Sequence, residues 1–308
     1  MSKELSNTIK LKAKELGFSL SGICRAEAMI NEGEKLKSWI GKGYNAGMKW
    51  FERTIDHRID PSMVLEGVKS ILIFGLNYYQ DIQRNNSVTY PKVSKYALGK
   101  DYHKVMNEKL TGMSLFLKSI VPDIKVLCYS DTGPLMEKVL AQKSGLGWIG
   151  KNTNLINRRE GSFFFLGCIL TDLELVYDKT ESDHCGSCSR CIDACPTNAI
   201  VEPYVLDSNK CISYLTIEYR GDELPKELNN KFDGWIFGCD ICQDVCPWNR
   251  FSKQTSEPAF IYSPEFEINP EELSKLTEDE FKEKFQYSPI KRAKHKGLMR
   301  NLKFVSRD

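Results

Sequence analysis

Eight of the eleven cysteines crowd between Cys185 and Cys246, and their spacing specifies a chemistry. The first run reads Cys185-Gly-Ser-Cys188-Ser-Arg-Cys191-Ile-Asp-Ala-Cys195-Pro196, or C-x2-C-x2-C-x3-C-P. Two-residue gaps let three thiolates converge on three irons of one 4Fe–4S cubane. The fourth cysteine, before proline, faces away and ligates a second cluster. The second run, Cys239-Asp-Ile-Cys242-Gln-Asp-Val-Cys246-Pro247, is one cysteine short at its start, where Ile236 stands. Cys211 is the only other nearby cysteine and fills that vacancy. Cluster one then takes Cys185, Cys188, Cys191 and Cys246; cluster two takes Cys195, Cys211, Cys239 and Cys242. A pair of four-cysteine zinc sites would also use C-x2-C pairs, but gives no reason for the doubled C-x3-C-P. Two clusters in one chain imply an electron-handling protein, and their thiolates must stay reduced, which predicts the cytoplasm.

Other candidates are fewer. Asp131 follows a strand-like stretch and precedes a helical one. Ligands gather at strand ends, so it could serve as a general acid. It could equally cap the helix, and the residues alone leave both readings open. The run from Gly145 to Asn152 is rich in glycine, which permits close backbone approach to a flat ligand or simply a turn. Neither a G-x-G-x-x-G fingerprint nor a phosphate-binding P-loop is present, so nothing signals a nicotinamide or nucleotide. Cys24, Cys128 and Cys168 lie among apolar residues and read as small core side chains.

Roughly 175 residues precede the clusters, far more than the ~60 a bare two-cluster module needs. Helices are predicted over 3–16, 101–120 and 134–144, with Pro134 in a first turn. Strands are predicted over 70–74, 124–129 and 162–171, and a loop over 80–87. The fold class is α+β: a layered α/β unit over 1–175, a ferredoxin-like two-cluster unit over 176–255, and a helical segment over 256–308. In the last segment Thr277 and Glu280 form a capping box, and Ser288-Pro289 opens a basic helix from Lys291 to Arg300. The 308 residues carry a formal charge of +2, so nucleic-acid binding must rest on local patches. No apolar run approaches the ~20 residues of a membrane helix, and the amphipathic N-terminus does not read as a signal peptide. Collagen, coiled coil and disulfide-stapled mini-domain are excluded by composition and length.

The segments Lys95–His103, Asp131-Thr132-Gly133-Pro134, Gly145–Asn152 and Cys211–Glu218, together with both cysteine runs, resemble epoxyqueuosine reductases. The resemblance covers essentially the whole chain. It implies a cobalamin-dependent iron–sulfur enzyme, related to reductive dehalogenases. Such an enzyme reduces the epoxide of epoxyqueuosine at the tRNA wobble position, the last step of queuosine formation. Electrons would come from a low-potential donor and pass through both 4Fe–4S clusters to cobalamin. A monomer is expected. Many members continue into a helical-repeat extension, whereas this chain stops at Asp308. RNA contacts made by such an extension would then have to come from elsewhere.

The resemblance also favours the acid role for Asp131. For cobalamin it points to Arg58, Tyr96, Ala97, Gly150, Lys151, Asn152 and Ser213 around the same corner as Asp131. Lys151 and Arg58 could meet corrin amides or the nucleotide phosphate. No D-x-H-x-x-G run is present, so a histidine below cobalt is not expected, and His103 is read as a cap or packing residue. For RNA, Arg220 resembles a contacting position, while Trp248 and Arg250 could stack on and charge-pair a flipped base. The basic helix could track phosphates or be an ordinary solvated face. Two competing readings remain: a dehalogenase-like reductase of a small organic substrate, and a plain electron-transfer module that binds no corrin.

Overall fold

The computed structural model describes residues 2–82, 91–262 and 269–306. Part of the predicted 80–87 loop falls outside them. The chain opens with α1 (Ser2–Glu15), β1 (Leu20–Arg25), α2 (Ile30–Gly41) and two short helices, α3 (Trp50–Arg53) and α4 (Ile55–Ile59). Next come β2 (Ser70–Asn77), β3 (Lys92–Val93), α5 (Tyr102–Ile120), β4 (Val126–Tyr129) and α6 (Glu137–Lys143). A tight hairpin, β5 (Trp148–Ile149) and β6 (Leu155–Ile156), precedes β7 (Phe164–Thr171).

The main sheet has the order β1-β2-β7-β4, and every pairing is antiparallel. That makes the layered unit α+β rather than doubly wound. Both faces are covered. On one, α1 and α5 bring Ile9, Ala13, Leu110, Met113 and Leu117 against Leu72, Phe74 and Ile169. On the other, α6 brings Leu140 and Ala141 against Ile71, Ile73 and Leu170. Two-sided burial explains why β2 and β7 read as continuous apolar runs rather than alternating ones. Cys24 and Cys168 are buried in the second core and Cys128 packs against the first, as the sequence suggests.

One helix starts later than its sequence predicts. Ser130–Gly133 forms a tight turn in which the Thr132 N–H donates to the Ser130 carbonyl at 2.7 Å and Asp131 takes a φ of 62°. Gly133 lies so close to the Tyr129 ring that a Cβ would sit 2.5 Å from it. Pro134 belongs to the exit from this turn, and α6 begins only at Glu137 with Met136 at the cap position. Asp131 is therefore not a helix cap.

The second unit is built from short pieces: α7 (Arg190–Asp193), β8 (Ile200–Glu202), β9 (Val205–Leu206), α8 (Ile212–Ile217), β10 (Trp235–Phe237) and α9 (Ile241–Asp244). The chain closes with α10 (Pro270–Leu273), α11 (Glu278–Lys284) and α12 (Lys294–Val305). β10 pairs in parallel with β3, which stitches the cluster unit to the first unit. A further core joins Val93, Ala97 and Leu98 to Ile236, Phe237, Phe285, Leu298 and Leu302. Contacts thus cross both of the boundaries expected near 175 and 255. The capping box at Thr277 and Glu280 is present. The predicted basic helix is broken: a short 3-10 turn over Pro289–Ala293 precedes α12, and Lys294 takes a φ of 61° at the junction. No described helix is long and apolar enough to cross a membrane.

Candidate active site

The cysteine runs fold so that their ends cross. A cavity of about 90 Å³ is lined by Cys185, Cys188, Cys191 and Cys246. A second, of about 260 Å³, is lined by Cys195, Cys211, Cys239 and Cys242. The short helices α7 and α9 cause the exchange. Each carries the chain through roughly one turn, from Cys191 to Cys195 and from Cys242 to Cys246, so that the cysteine before proline projects toward the other cavity. The thiols of each set repel one another as charges would. Burial, then Cys246, Cys185 and Cys188, push the Cys191 thiol up to about 11. Burial, then Cys211, Cys191 and Cys195, push Cys242 higher still. Cys191 belongs to the first set, so the two sets adjoin.

Such thiols become thiolates only against a concentrated positive charge, which iron supplies. Among the described residues, no group of three or more His, Cys, Asp and Glu side chains closes on a single ion. Eight thiols gathered as two sets of four match the ligand count of two 4Fe–4S clusters. One buried atom fits the same group. The Trp148 indole is fully buried, its Nε1 has no partner, and it faces the Cys185 thiol.

The larger cavity continues past the second cysteine set. Tyr78, Ser94, Tyr96, Lys138, Asn152 to Asn154, Ser213 and Gln243 line it. Amides and hydroxyls suit a ligand bearing amide side chains, and no histidine is among these lining residues. Of the residues named for cobalamin, Tyr96, Asn152 and Ser213 meet here. The others do not face it. The Lys151 ammonium donates to the carbonyls of Gly186 and Cys188 at 2.7 and 2.9 Å, holding the first cysteine loop. Ala97 has no exposed surface, because it packs in the core between β3 and β10. Gly150 closes the β5–β6 turn, where a Cβ would meet Ile156 at 2.4 Å. Arg58 donates to the Leu135 carbonyl and the Thr54 hydroxyl and lies over Phe51, behind the Asp131 turn.

Asp131 stands at the end of β4, and its side chain keeps 64% of its surface open. The Tyr102 hydroxyl donates to its Oδ2 at 2.6 Å, and His103 Nε2 lies 3.7 Å from the same oxygen. Asp101, the N-cap of α5, holds His103 Nδ1 at 2.8 Å. Tyr102 is stacked flat on Phe165, which fixes its hydroxyl. Beneath the turn, the Asp131 N–H donates to Glu137 Oε1 at 2.8 Å. The protons follow. The His103 imidazole 3.7 Å away, and then the Tyr102 hydrogen bond, hold Asp131 below its ordinary value. Burial opposes a charged His103, but its hydrogen bond to Asp101 and the nearby Asp131 carboxylate raise it to about 9. Burial, then repulsion from Asp131, raises Glu137 to about 8. The argument that an apolar corner keeps a proton on Asp131 therefore runs the other way in this chain: His103 and Glu137 hold the protons beside it. The exposed Lys138 reaches from this corner to the Thr153 carbonyl and Asn154 Oδ1 in the cavity wall. Sequence reading missed Tyr102, Glu137 and Lys138. The signal available was position: Tyr102 lies in the Lys95–His103 segment, and Glu137 and Lys138 open the helix that follows the Asp131 turn.

Of the residues named for RNA, Trp248 and Arg250 share one 3-10 turn, Pro247–Phe251. Arg220 donates to the carbonyls of Ile217 and Arg292, tying α8 to the C-terminal segment. Trp248 packs edge-on against Trp148 in the wall of the first cysteine set. Arg250 is exposed over Phe251. In the basic segment, Arg292 makes a forked pair with Glu218, Lys291 pairs with Asp101, and Arg300 donates to the carbonyls of Leu215, Tyr219 and Gly221. Lys294 and Lys296 stay exposed on the same segment, Lys296 beside Asp222.

Residues 184–249 match the family described as a 4Fe-4S double cluster binding domain, and residues 58–132 match Epoxyqueuosine reductase QueG, DUF1730. The chain is similar to the epoxyqueuosine reductase of Cellulophaga algicola, with 45% identity covering 97% of both chains. The chain belongs to the epoxyqueuosine reductase family. Its fold superposes on a crystal structure of epoxyqueuosine reductase with an epoxyqueuosine-modified tRNA-Tyr stem loop, at a TM-score of 0.90 and 31% identity. That match covers 98% of this chain and 80% of the other. A catabolic reductive dehalogenase shares the fold alone, at a TM-score of 0.51 and 18% identity over 83% of this chain and 33% of the other. Membership of this oxidoreductase family carries two 4Fe–4S clusters and sets the plain electron-transfer reading aside.

Proposed function

We propose that this protein reduces the epoxide of epoxyqueuosine at the tRNA wobble position to the alkene of queuosine. The observation that carries the reading is one cavity shared by three features. The second cysteine set forms its floor, an amide-rich wall suits a corrin, and Lys138 links it to the proton-holding cluster around Asp131. Reduction of an epoxide to an alkene consumes two electrons and two protons and releases water. Cobalamin, when bound, supplies the low-potential chemistry at the carbon–oxygen bond.

The chain supplies the rest. Cys185, Cys188, Cys191 and Cys246 would hold the first cluster, and Cys195, Cys211, Cys239 and Cys242 the second. Tyr96, Asn152 and Ser213 would orient the corrin. Asp131 would pass a proton to the departing oxygen, recharged from His103, while Glu137 holds the turn and a second proton. A low-potential donor would feed the first cluster, whose loop is the more exposed.

A competition separates this reading from the dehalogenase-like one. The reconstituted protein, cobalamin and a low-potential reductant are offered a halogenated phenol and a stem loop bearing epoxyqueuosine. The expected result is reduction of the RNA with the halide intact. Halide loss with the RNA unchanged would overturn the proposal.

A further inference from the structure

Between the two cysteine sets lies one small element, the β5–β6 hairpin. Its strands pair Trp148 with Ile156 and Ile149 with Leu155, and the Gly150 N–H donates to the Asn154 carbonyl at 2.8 Å across the turn. A Cβ at Gly147 would stand 2.1 Å from the Ile156 carbonyl, so only glycine lets the strands approach this closely. The hairpin's two ends face different sets. At its base, Trp148 is fully buried, held edge-on by Trp248 at 5.1 Å and by His184 at 4.9 Å. Its N–H has no partner, and the two rings that hold it, His184 and Trp248, line the cavity of Cys185, Cys188, Cys191 and Cys246. At its tip, the Asn154 side-chain amide nitrogen lies 3.9 Å from the Cys242 sulfur. The amide orientation is fixed, because the Asn154 Oδ1 accepts from Lys138 at 3.2 Å, which leaves the NH2 to face sulfur.

We infer that the β5–β6 hairpin sets the potentials of both clusters, Trp148 through an N–H···S bond to Cys185 and Asn154 through one to Cys242. This rests on the reading that the two cysteine sets carry 4Fe–4S clusters. The physics is direct. Reduction adds negative charge to the cluster and its sulfurs, and an N–H aimed at sulfur stabilises that charge. In a buried site the effect is larger than in water. A buried indole N–H left without a protein acceptor would otherwise cost free energy with no return. Because Asn152 and Asn154 also line the larger cavity, the element that tunes the electron path is also a wall of the chamber it serves. Trp148 and Asn154 are positioning residues: neither reaches the reacting atoms.

The test is an anaerobic redox titration of the full reconstituted chain, followed by electron paramagnetic resonance, with iron and sulfide measured in each sample. Trp148→Phe keeps an aromatic ring and deletes the N–H. It is expected to shift the cluster-one midpoint to lower potential, cutting its reduced fraction at a fixed applied potential severalfold, with cluster two unmoved. Asn154→Leu is expected to do the reverse. Full iron and sulfide with both midpoints unmoved in both variants would overturn the inference. A second measurement needs no variant. In wild-type protein labelled with 15N in the indole, the reduced cluster-one signal is expected to show coupling to that nitrogen, and its absence would also overturn the inference. A wild-type chain that takes up no iron at all would instead defeat the underlying reading.

Discussion

Two carboxylates share the Asp131 turn, and the protons around them decide what the turn can do. His103, raised to about 9, and Glu137, raised to about 8, both hold protons at neutral pH. Asp131 lies between them with its charge favoured by His103 and Tyr102. Asp131→Asn removes the group that takes a proton from His103 and delivers it. Turnover should fall by about 10²–10⁴ with both cluster signals retained. A rate within a factor of two of wild type would remove Asp131 from the mechanism. The sign of the pH dependence follows from the same two groups. As pH rises through about 8 and then about 9, Glu137 and His103 each lose a proton, so the rate should fall on the alkaline side. In Glu137→Gln the side-chain oxygen still accepts from the Asp131 N–H, but nothing titrates there, so the alkaline limb should move toward about 9. A limb unchanged in that variant would contradict the assignment. Asp131 itself was legible as a residue at a strand end. Its partners were not, because a tyrosine stacked on Phe165 and a glutamate under a turn acquire their roles only from tertiary placement.

The cysteine runs illustrate what elements add. Spacing alone predicted that the cysteine before each proline serves the other cluster, and the cavities gather the thiols in that pattern. The crossing gives a sharp expectation. Cys195→Ala should abolish the cluster-two signal and spare cluster one, although Cys195 belongs to the first run. Cys246→Ala should do the opposite. Loss of cluster one from Cys195→Ala would contradict the crossing. Spacing could be read because short covalent gaps limit where thiolates can point. The start of α6 could not. Pro134 is a favourable first-turn residue, but the left-handed Asp131 and the close-packed Gly133 delay the helix by three residues. The glycine-rich run is visible in the sequence, but that Gly147 serves the close approach of two paired strands shows only in the fold.

At the scale of the molecule, the C-terminal segment closes the cluster unit. Asn301 on α12 is fully buried and donates to the carbonyls of Thr216 at 2.8 Å and Ile236 at 2.9 Å. Asn301→Leu leaves two buried carbonyls unpaired and should destabilise the fold by roughly 2–4 kcal/mol, measured by anaerobic urea unfolding. A loss below about 0.5 kcal/mol would show that α12 does not hold α8 and β10 in place. The α+β class was readable from alternating apolar segments. The all-antiparallel order and the β3–β10 seam were not, since β3 is only two residues long and pairs across more than a hundred positions. The central claim is that electrons from two clusters and protons from the Asp131 corner meet in one chamber to remove an oxygen atom. Its most direct test is anaerobic incubation of the reconstituted protein with a low-potential reductant and epoxyqueuosine-containing tRNA, with and without cobalamin, followed by mass analysis of the wobble nucleoside. Loss of one oxygen atom only when cobalamin is present is the predicted result. An unchanged nucleoside, with both clusters reducible and cobalamin bound, would contradict it.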